Sequence, residues 1–87
     1  MYINSKQIKM ENLEFNLKVI TARLSLSKSK LKKYSQQVAK TYDDNGFTPH
    51  YFAIVKKIKS EKQLIKTYER QLENIHIELN SFRFGNP

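Results

Sequence analysis

The 87-residue sequence has no cysteine and no tryptophan, and only two glycines and two prolines. Without cysteine there can be no disulfides, thiolate metal sites or thiol redox chemistry. No glycine or proline precedes Gly46, so nothing interrupts a helix in the first half of the chain. The longest wholly apolar run, Tyr51 to Val55, has five residues, whereas a membrane-spanning helix needs about 20. The N-terminus also lacks the apolar segment of a signal peptide, so a cytoplasmic protein is expected.

Apolar residues recur at alternating intervals of three and four. This heptad pattern is typical of a helix packed along its length against another helix. In the first half the positions are Met10, Leu13, Leu17, Ile20, Leu24, Ser27, Leu31, Tyr34 and Val38. In the second half they are Ile54, Ile58, Glu61, Ile65, Tyr68, Leu72, Ile75, Leu79 and Phe82. Each series, which we call a seam, has one polar member.

The two seams are equally long and align when the chain folds back on itself. Val38 then faces Ile54, and Met10 faces Phe82. This agreement predicts an all-α fold, a long, coiled-coil-like antiparallel helical hairpin forming a single domain. We expect helix 1 at about 4–41, a connector at 42–48, helix 2 at about 49–80 and a tail at 81–87, with Asn4 or Ser5 as the first N-cap.

The connector has the clearest local signals. Thr48 is the expected N-cap of helix 2, Pro49 suits its first position, and Phe47 can pack on Phe52 as a hydrophobic staple. Gly46 can take the positive φ that ends helix 1. The preceding turn formers are Asp43, Asp44 and Asn45.

A second apolar stripe lies on another side of helix 1. Its members are Ile8, Phe15, Val19, Ala22 and Leu26. A helix that is apolar on two sides has to be covered on both, and a hairpin covers one. The stripe therefore predicts a homodimer interface that gives a four-helix bundle. In the alternative, the terminal residues Tyr2, Ile3 and Phe84 fold over the stripe.

Sixteen basic and eight acidic residues give a formal charge of +8. Ten lysines lie in two segments, 28–40 and 56–66, where Glu61 is the single acid. They are Lys28, Lys30, Lys32, Lys33, Lys40, Lys56, Lys57, Lys59, Lys62 and Lys66. An antiparallel hairpin places the two segments side by side. Such clustering is typical of a surface that neutralises nucleic-acid phosphates.

Catalysis has little support in the sequence. His50 and His76 have no partners at metal-ligand spacing, and neither a nucleophile motif nor a glycine-rich phosphate loop occurs. We expect no catalytic, metal or cofactor site, and no enzyme activity. Glu61 in the seam has two interpretations: a polar layer that fixes register, or an opening where it orients lysines towards a ligand.

These features favour a non-enzymatic protein that binds nucleic acid, DNA rather than RNA, in a regulatory, replication or packaging role, as in a phage or plasmid. Lysine rather than arginine predicts phosphate contacts over base reading. Aromatic residues near the connector could stack on bases, but we expect packing to be their main role; they are Tyr34, Tyr42, Phe47, Tyr51 and Phe52. The alternative is a protein–protein adaptor or inhibitor that docks through the second stripe or through these aromatic residues at the tip of the hairpin. A membrane partner is not expected, because the apolar stripes are committed to helix packing.

Residues 35–57 also resemble a helix-turn-helix. Ser35 to Lys40 reads as a first helix, and Thr48 to Lys57 as a recognition helix. The resemblance implies that His50 and Lys56 or Lys57 would enter the major groove. The gap between Ala39 and Gly46 is about three residues longer than the usual tight turn.

Overall fold

The computed structural model describes residues 5–83, which form two helices. Helix α1 comprises Ser5–Asn45 and α2 comprises Pro49–Arg83. The molecule measures 65 × 24 × 15 Å, and its long dimension is close to the roughly 60 Å expected for a helix as long as α1. The two helices pack against each other, which confirms the predicted all-α hairpin.

Contacts between side chains on opposite helices fix the antiparallel register. Near the connector, the rings of Tyr42 and Tyr51 have centroids 6.0 Å apart. Farther along, Lys57 Nζ lies 5.6 Å from the Tyr34 ring centroid. At the far end, Lys9 Nζ lies 5.9 Å from the Phe82 ring centroid. Each of these contacts lies within one residue of the pairing that sets Val38 opposite Ile54 and Met10 opposite Phe82.

Burial follows the two seams. Every seam residue of both helices is buried or half-buried. The most deeply buried apolar side chains are Ile54, Ile75 and Leu79, with exposed fractions of 3%, 8% and 1%. Ser27, the polar member of the first seam, is 6% exposed. The other seam positions stay half-buried because a pair of helices encloses a line of contacts rather than an interior.

Helix α1 extends four residues past its predicted end at residue 41. Asp43, Asp44 and Asn45 are helical rather than part of the connector, so their turn propensity does not decide the boundary. The helix ends at Gly46, which has a φ of 69°. The backbone N–H of Gly46 donates to the carbonyl of Tyr42 over 2.7 Å. This single bond across a left-handed glycine is the αL termination motif.

Helix α2 also extends past its predicted end, from residue 80 to Arg83. Ser81 and Phe82 are half-buried. The Phe82 ring lies beneath Lys6 and Lys9, whose Nζ atoms are 5.7 and 5.9 Å from its centroid. This packing on α1 explains the added turn. The predicted cap at Asn4, the terminal cover by Tyr2, Ile3 and Phe84, and the tail beyond 83 lie outside the described residues.

The start of α2 has the predicted capping. Thr48 Oγ1 accepts a hydrogen bond from the backbone N–H of Tyr51 over 3.2 Å, which confirms Thr48 as the N-cap. The Thr48 carbonyl accepts the first helical bond, from Phe52, over 3.1 Å. Phe47 and Phe52 have ring centroids 6.0 Å apart in a stacked arrangement, so the predicted staple is confirmed.

The resemblance to a helix-turn-helix does not extend to the structure. The α1 helix is continuous from Ser5 to Asn45, past both ends of the expected first helix. The two helices then lie alongside each other for most of their length. A helix-turn-helix instead crosses its two short helices at a steep angle of roughly 90–120°. The structure is therefore a long helical hairpin and not a compact helix-turn-helix.

Candidate nucleic-acid interface

All ten lysines of the two basic segments are exposed. The segment 28–40 lies on α1 and the segment 56–66 lies on α2, next to each other in the half of the hairpin that includes the connector. The contact of Lys57 with the Tyr34 ring joins them directly. We call this part of the molecule the lysine-rich half.

The lysines are not distributed evenly around the hairpin. Successive residues of an α-helix turn by about 100°, so the position of each lysine relative to its seam gives the side on which it lies. Five lysines lie on one side of the hairpin, which we call the five-lysine face: Lys28, Lys32, Lys59, Lys62 and Lys66. Lys30, Lys33, Lys40 and Lys57 lie on the other side, while Lys56 points away from the seam.

The five-lysine face is compact along the hairpin. In the observed register, Lys66, Lys62 and Lys59 lie level with residues 26, 30 and 33 of α1. They therefore alternate with Lys28 and Lys32, and at about 1.5 Å per residue all five fall within about 10 Å of axial length. Lys28 and Lys32 also flank an open cleft of about 580 Å³, whose lining includes Leu31 and Ala39.

Acidic residues set the limit of this face. Glu69 and Glu73 follow Lys66 on the same side of α2 and are exposed. Within the axial span of the five lysines, the single acid among the described residues is Glu61, a half-buried seam residue. Its atom Oε2 is buried and has no hydrogen-bond partner in the described part of the chain. The outward charge of the face is therefore positive.

Glu61 lies on the other side of the hairpin, in a cleft of about 380 Å³. Tyr34, Ala53, Lys56, Lys57 and Ser60 complete its lining. Burial of Oε2 without a partner does not match a carboxylate that orients lysines through ion pairs. Ser27, one turn away on α1, is buried as well, so the two polar seam members lie in the same part of the hairpin, as the register interpretation requires.

The second apolar stripe remains largely uncovered by the hairpin. Phe15 is 66% exposed, Leu26 is 57% exposed and Ile8 is 42% exposed. Ala22 is also exposed, while Val19 is half-buried. The helical period places the stripe on the side of α1 that carries Lys30 and Lys33, away from the five-lysine face.

Aromatic rings gather at the connector end of the hairpin. Phe47 contacts three of them, with centroid distances of 5.0 Å to Tyr42, 5.2 Å to Tyr51 and 6.0 Å to Phe52. We call these four residues the aromatic tip. The rings pack on one another as expected, yet Phe47 is 68% exposed, Phe52 57% and Tyr42 47%. Tyr34 is apart from them, under Lys57.

One cleft beside the aromatic tip combines an exposed ring with two of the lysines. Phe52, Lys56 and Lys59 line it together with Pro49, Ala53 and Val55, and its volume is about 430 Å³. The spacing of Phe52, Lys56 and Lys59 at i, i+4 and i+7 is that of one helix face. The sequence reasoning missed this combination, although the spacing is visible in the sequence.

The described residues offer little support for a metal site or a membrane-spanning segment. His50 and His76 are both exposed. Among residues 5–83, no three His, Asp or Glu side chains come close enough together to hold a metal ion. Within the same residues, neither helix has a stretch that is long and apolar enough to cross a membrane. No protein-family model, curated protein or solved structure matches the chain.

Proposed function

We propose that this protein is a non-enzymatic nucleic-acid-binding protein that contacts DNA, in preference to RNA, through the five-lysine face. The observation that carries the proposal is the convergence of five exposed lysines from two helices within about 10 Å of axial length. No exposed acid of the described chain interrupts them. Duplex DNA presents one phosphate charge per roughly 1.7 Å of its axis, so a patch of this length faces several phosphates at once.

The chemistry of the face favours the DNA backbone over the bases. All its charged residues are lysines, which act as flexible point charges, and none is an arginine with the planar fork that reads guanine. Binding by phosphate neutralisation releases counterions and depends little on base sequence. Such contacts suit a protein that coats, packages or positions DNA in the cytoplasm during regulation or replication.

The exposed second stripe supports a dimer that leaves this face open. Phe15 and Leu26 are more than half exposed, and burial of apolar surface contributes about 25 cal/mol per Å². A second hairpin packed on the stripe would complete a four-helix bundle. Because the stripe and the five-lysine face are on different sides of α1, both copies would present their lysines to DNA. Two faces on one DNA strengthen binding beyond either alone.

The test is binding of a labelled 20-base-pair DNA duplex of random sequence, measured by fluorescence anisotropy between 50 and 200 mM salt. Each neutralised phosphate contributes about −0.9 to the slope of log affinity against log salt. Four or five contacts from the five-lysine face of one hairpin then give a slope of about −3.6 to −4.5. A chain that fails to bind at 50 mM salt would overturn the proposal.

Two variants with equal loss of charge distinguish a defined face from general attraction. The first changes Lys28, Lys32, Lys59 and Lys62 to Gln. The matched control changes Lys30, Lys33, Lys40 and Lys57 to Gln. We expect the first variant to lose most of the affinity and about 3.6 units of slope, while the control retains most of both. Equal losses would mean that net charge alone drives binding and that the five-lysine face has no special role.

A protein partner is the second candidate, and the exposure of the second stripe is the observation that favours it. Ile8, Phe15 and Leu26 are each more than 40% exposed, and a larger protein could cover them in place of a second copy. In that case the lysines would meet an acidic protein surface. A monomeric chain in solution that binds no DNA would favour this adaptor role.

A further inference from the structure

We propose that the aromatic tip and the adjoining lysines bind an unpaired segment of nucleic acid, so that the protein prefers DNA with a single-stranded end or gap over a blunt duplex. The site consists of Phe52, Lys56 and Lys59, with Phe47 beside it. This inference rests on the proposed function and names the form of nucleic acid that the lysine-rich half takes.

The two phenylalanine rings of the hydrophobic staple remain exposed to solvent. Phe47 and Phe52 form the staple at the start of α2, yet they remain 68% and 57% exposed. Tyr51, which is half-buried, contacts both of these rings at centroid distances of 5.2 and 5.3 Å. The exposed rings are therefore fixed to the hairpin by a packed neighbour. A preorganised ring is a good stacking platform because little freedom is lost when a base stacks on it.

The site also pairs a ring with positive charge in one cleft. Phe52, Lys56 and Lys59 line one open cleft on the surface of α2, with a volume of about 430 Å³. Single-stranded nucleic acid is bound by such combinations: bases stack on aromatic side chains while cations follow the backbone. Paired bases within a duplex are already stacked on each other and cannot use the ring.

Charge also sets the direction of the strand at the tip. Asp43 and Asp44, on the last turn of α1, are exposed and repel phosphates. Lys56 and Lys59 lie on the α2 side, and Lys59 belongs to the five-lysine face as well. A base stacked on Phe52 would thus direct its backbone along α2 into the five-lysine face. A junction between duplex and single strand fits this path, with the duplex on the lysines and the unpaired end at the tip.

The alternative occupant is an apolar segment of another protein. The charge of the cleft favours nucleic acid over this alternative, because its two cationic side chains are both exposed lysines and it contains no acid. An apolar protein segment would leave these lysines without a counter-charge. The phosphates of a strand supply that charge.

The experiment compares two labelled DNA probes that share one 12-base-pair duplex. One probe is blunt, and the other carries a three-nucleotide thymidine overhang. Stacking of one base is worth about five-fold or more in affinity, so we expect the overhang probe to bind at least about five-fold tighter. This comparison uses the unaltered chain, so it tests the inference even if a variant is less helical. Equal affinities for the two probes would overturn it.

Three variants assign the preference to the ring. Phe52→Leu keeps an apolar staple but removes the stacking face, so the overhang preference should disappear while blunt-duplex affinity is retained. Phe52→Tyr keeps the ring and should keep the preference. Ile77→Ala is the control, because Ile77 is 60% exposed at the opposite end of α2 and its truncation should change neither affinity.

The outcomes separate this inference from the proposed function. Tight binding of the blunt duplex with no overhang preference, or a preference that survives in Phe52→Leu, overturns the role of the tip and leaves the five-lysine face intact. Failure of both probes to bind at 50 mM salt overturns both proposals. Loss of the preference in Phe52→Leu alone supports the site.

Discussion

Replacement of Glu61 by leucine should make the hairpin more stable. Glu61 occupies a seam position at which every other member of the α2 series is apolar or aromatic, and its atom Oε2 is buried without a hydrogen-bond partner among the described residues. An unsatisfied buried polar group costs about 1–3 kcal/mol. Leucine removes that cost and restores the heptad pattern.

Two further contributions set the expected size of the effect. A half-buried leucine adds about 1 kcal/mol of apolar burial, half of what full burial provides. Against this, the variant loses attraction between Glu61 and the surrounding lysines, which is worth about 0–1 kcal/mol for exposed partners. The balance is a gain of about 1–4 kcal/mol in the free energy of unfolding. For a chain of this size each kcal/mol raises the Tm by about 4–8 °C.

Thermal unfolding followed by circular dichroism measures this change. Glu69→Gln is the matched control, because it removes the same charge from an exposed position of the same helix and should change stability by less than about 0.5 kcal/mol. Added salt should enlarge the gain in Glu61→Leu, since salt screens the lysine attraction that opposes it. A Tm below that of the unaltered chain would refute the reasoning and show that lysines pair with this carboxylate in solution.

Gly46→Ala should lower the free energy of unfolding by about 1–2 kcal/mol, the cost of a left-handed conformation for a residue with a Cβ. Its φ is 69° and no atom lies within 4 Å of an added Cβ, so sterics contribute nothing; Gly46→Asn should lose less in thermal unfolding. Phe15→Glu combined with Val19→Glu should convert the proposed dimer into a monomer in light scattering. A dimer that persists would place the interface elsewhere.

The hairpin was predictable because its apolar residues recur at regular intervals along the sequence. Spacings of three and four determine which side of a helix a residue occupies, so the two seams identified the contacting residues before any contact was known. The connector was predictable for a different reason: Thr48, Pro49 and Gly46 each have a backbone role that few other residues can fill. The structure shows Thr48 and Gly46 in those roles.

The helix ends were less predictable, because packing outweighs local preference there. Asp43 and Asp44 favour turns, yet both are helical. The neighbouring Tyr42 ring contacts the rings of Phe47 and Tyr51 across the connector, and this packing outweighs the local preference of the aspartates. The assignment of the lysines to the two sides of the hairpin also requires the register between the helices. Periodicity orders the lysines around each helix separately, but the antiparallel pairing decides which lysines of α1 and α2 share a side. The exposure of Phe47 and Phe52 has no sequence signal, since a staple predicts contact and not how much of each ring remains uncovered.

The distribution of burial links the fold to the charged surface. The deeply buried apolar residues lie towards the two ends of the hairpin, with Ile54 near the connector and Ile75 and Leu79 near the far end. Between them the seam contains Ser27 and Glu61, and five lysines converge on one side of this polar stretch. Two like charges about 10 Å apart repel by about 0.4 kcal/mol in water. The middle of the hairpin therefore has the least apolar burial along the seam and the strongest repulsion between lysines.

A polyanion that occupies the face removes this repulsion only in the folded state, where the lysines of the two helices are adjacent. If the proposed function is right, DNA binding would stabilise the hairpin, by about 2.7 kcal/mol at a ligand concentration one hundred times the Kd. The proposed function would account for both features, because phosphates would neutralise the lysines that repel one another beside the polar stretch of the seam.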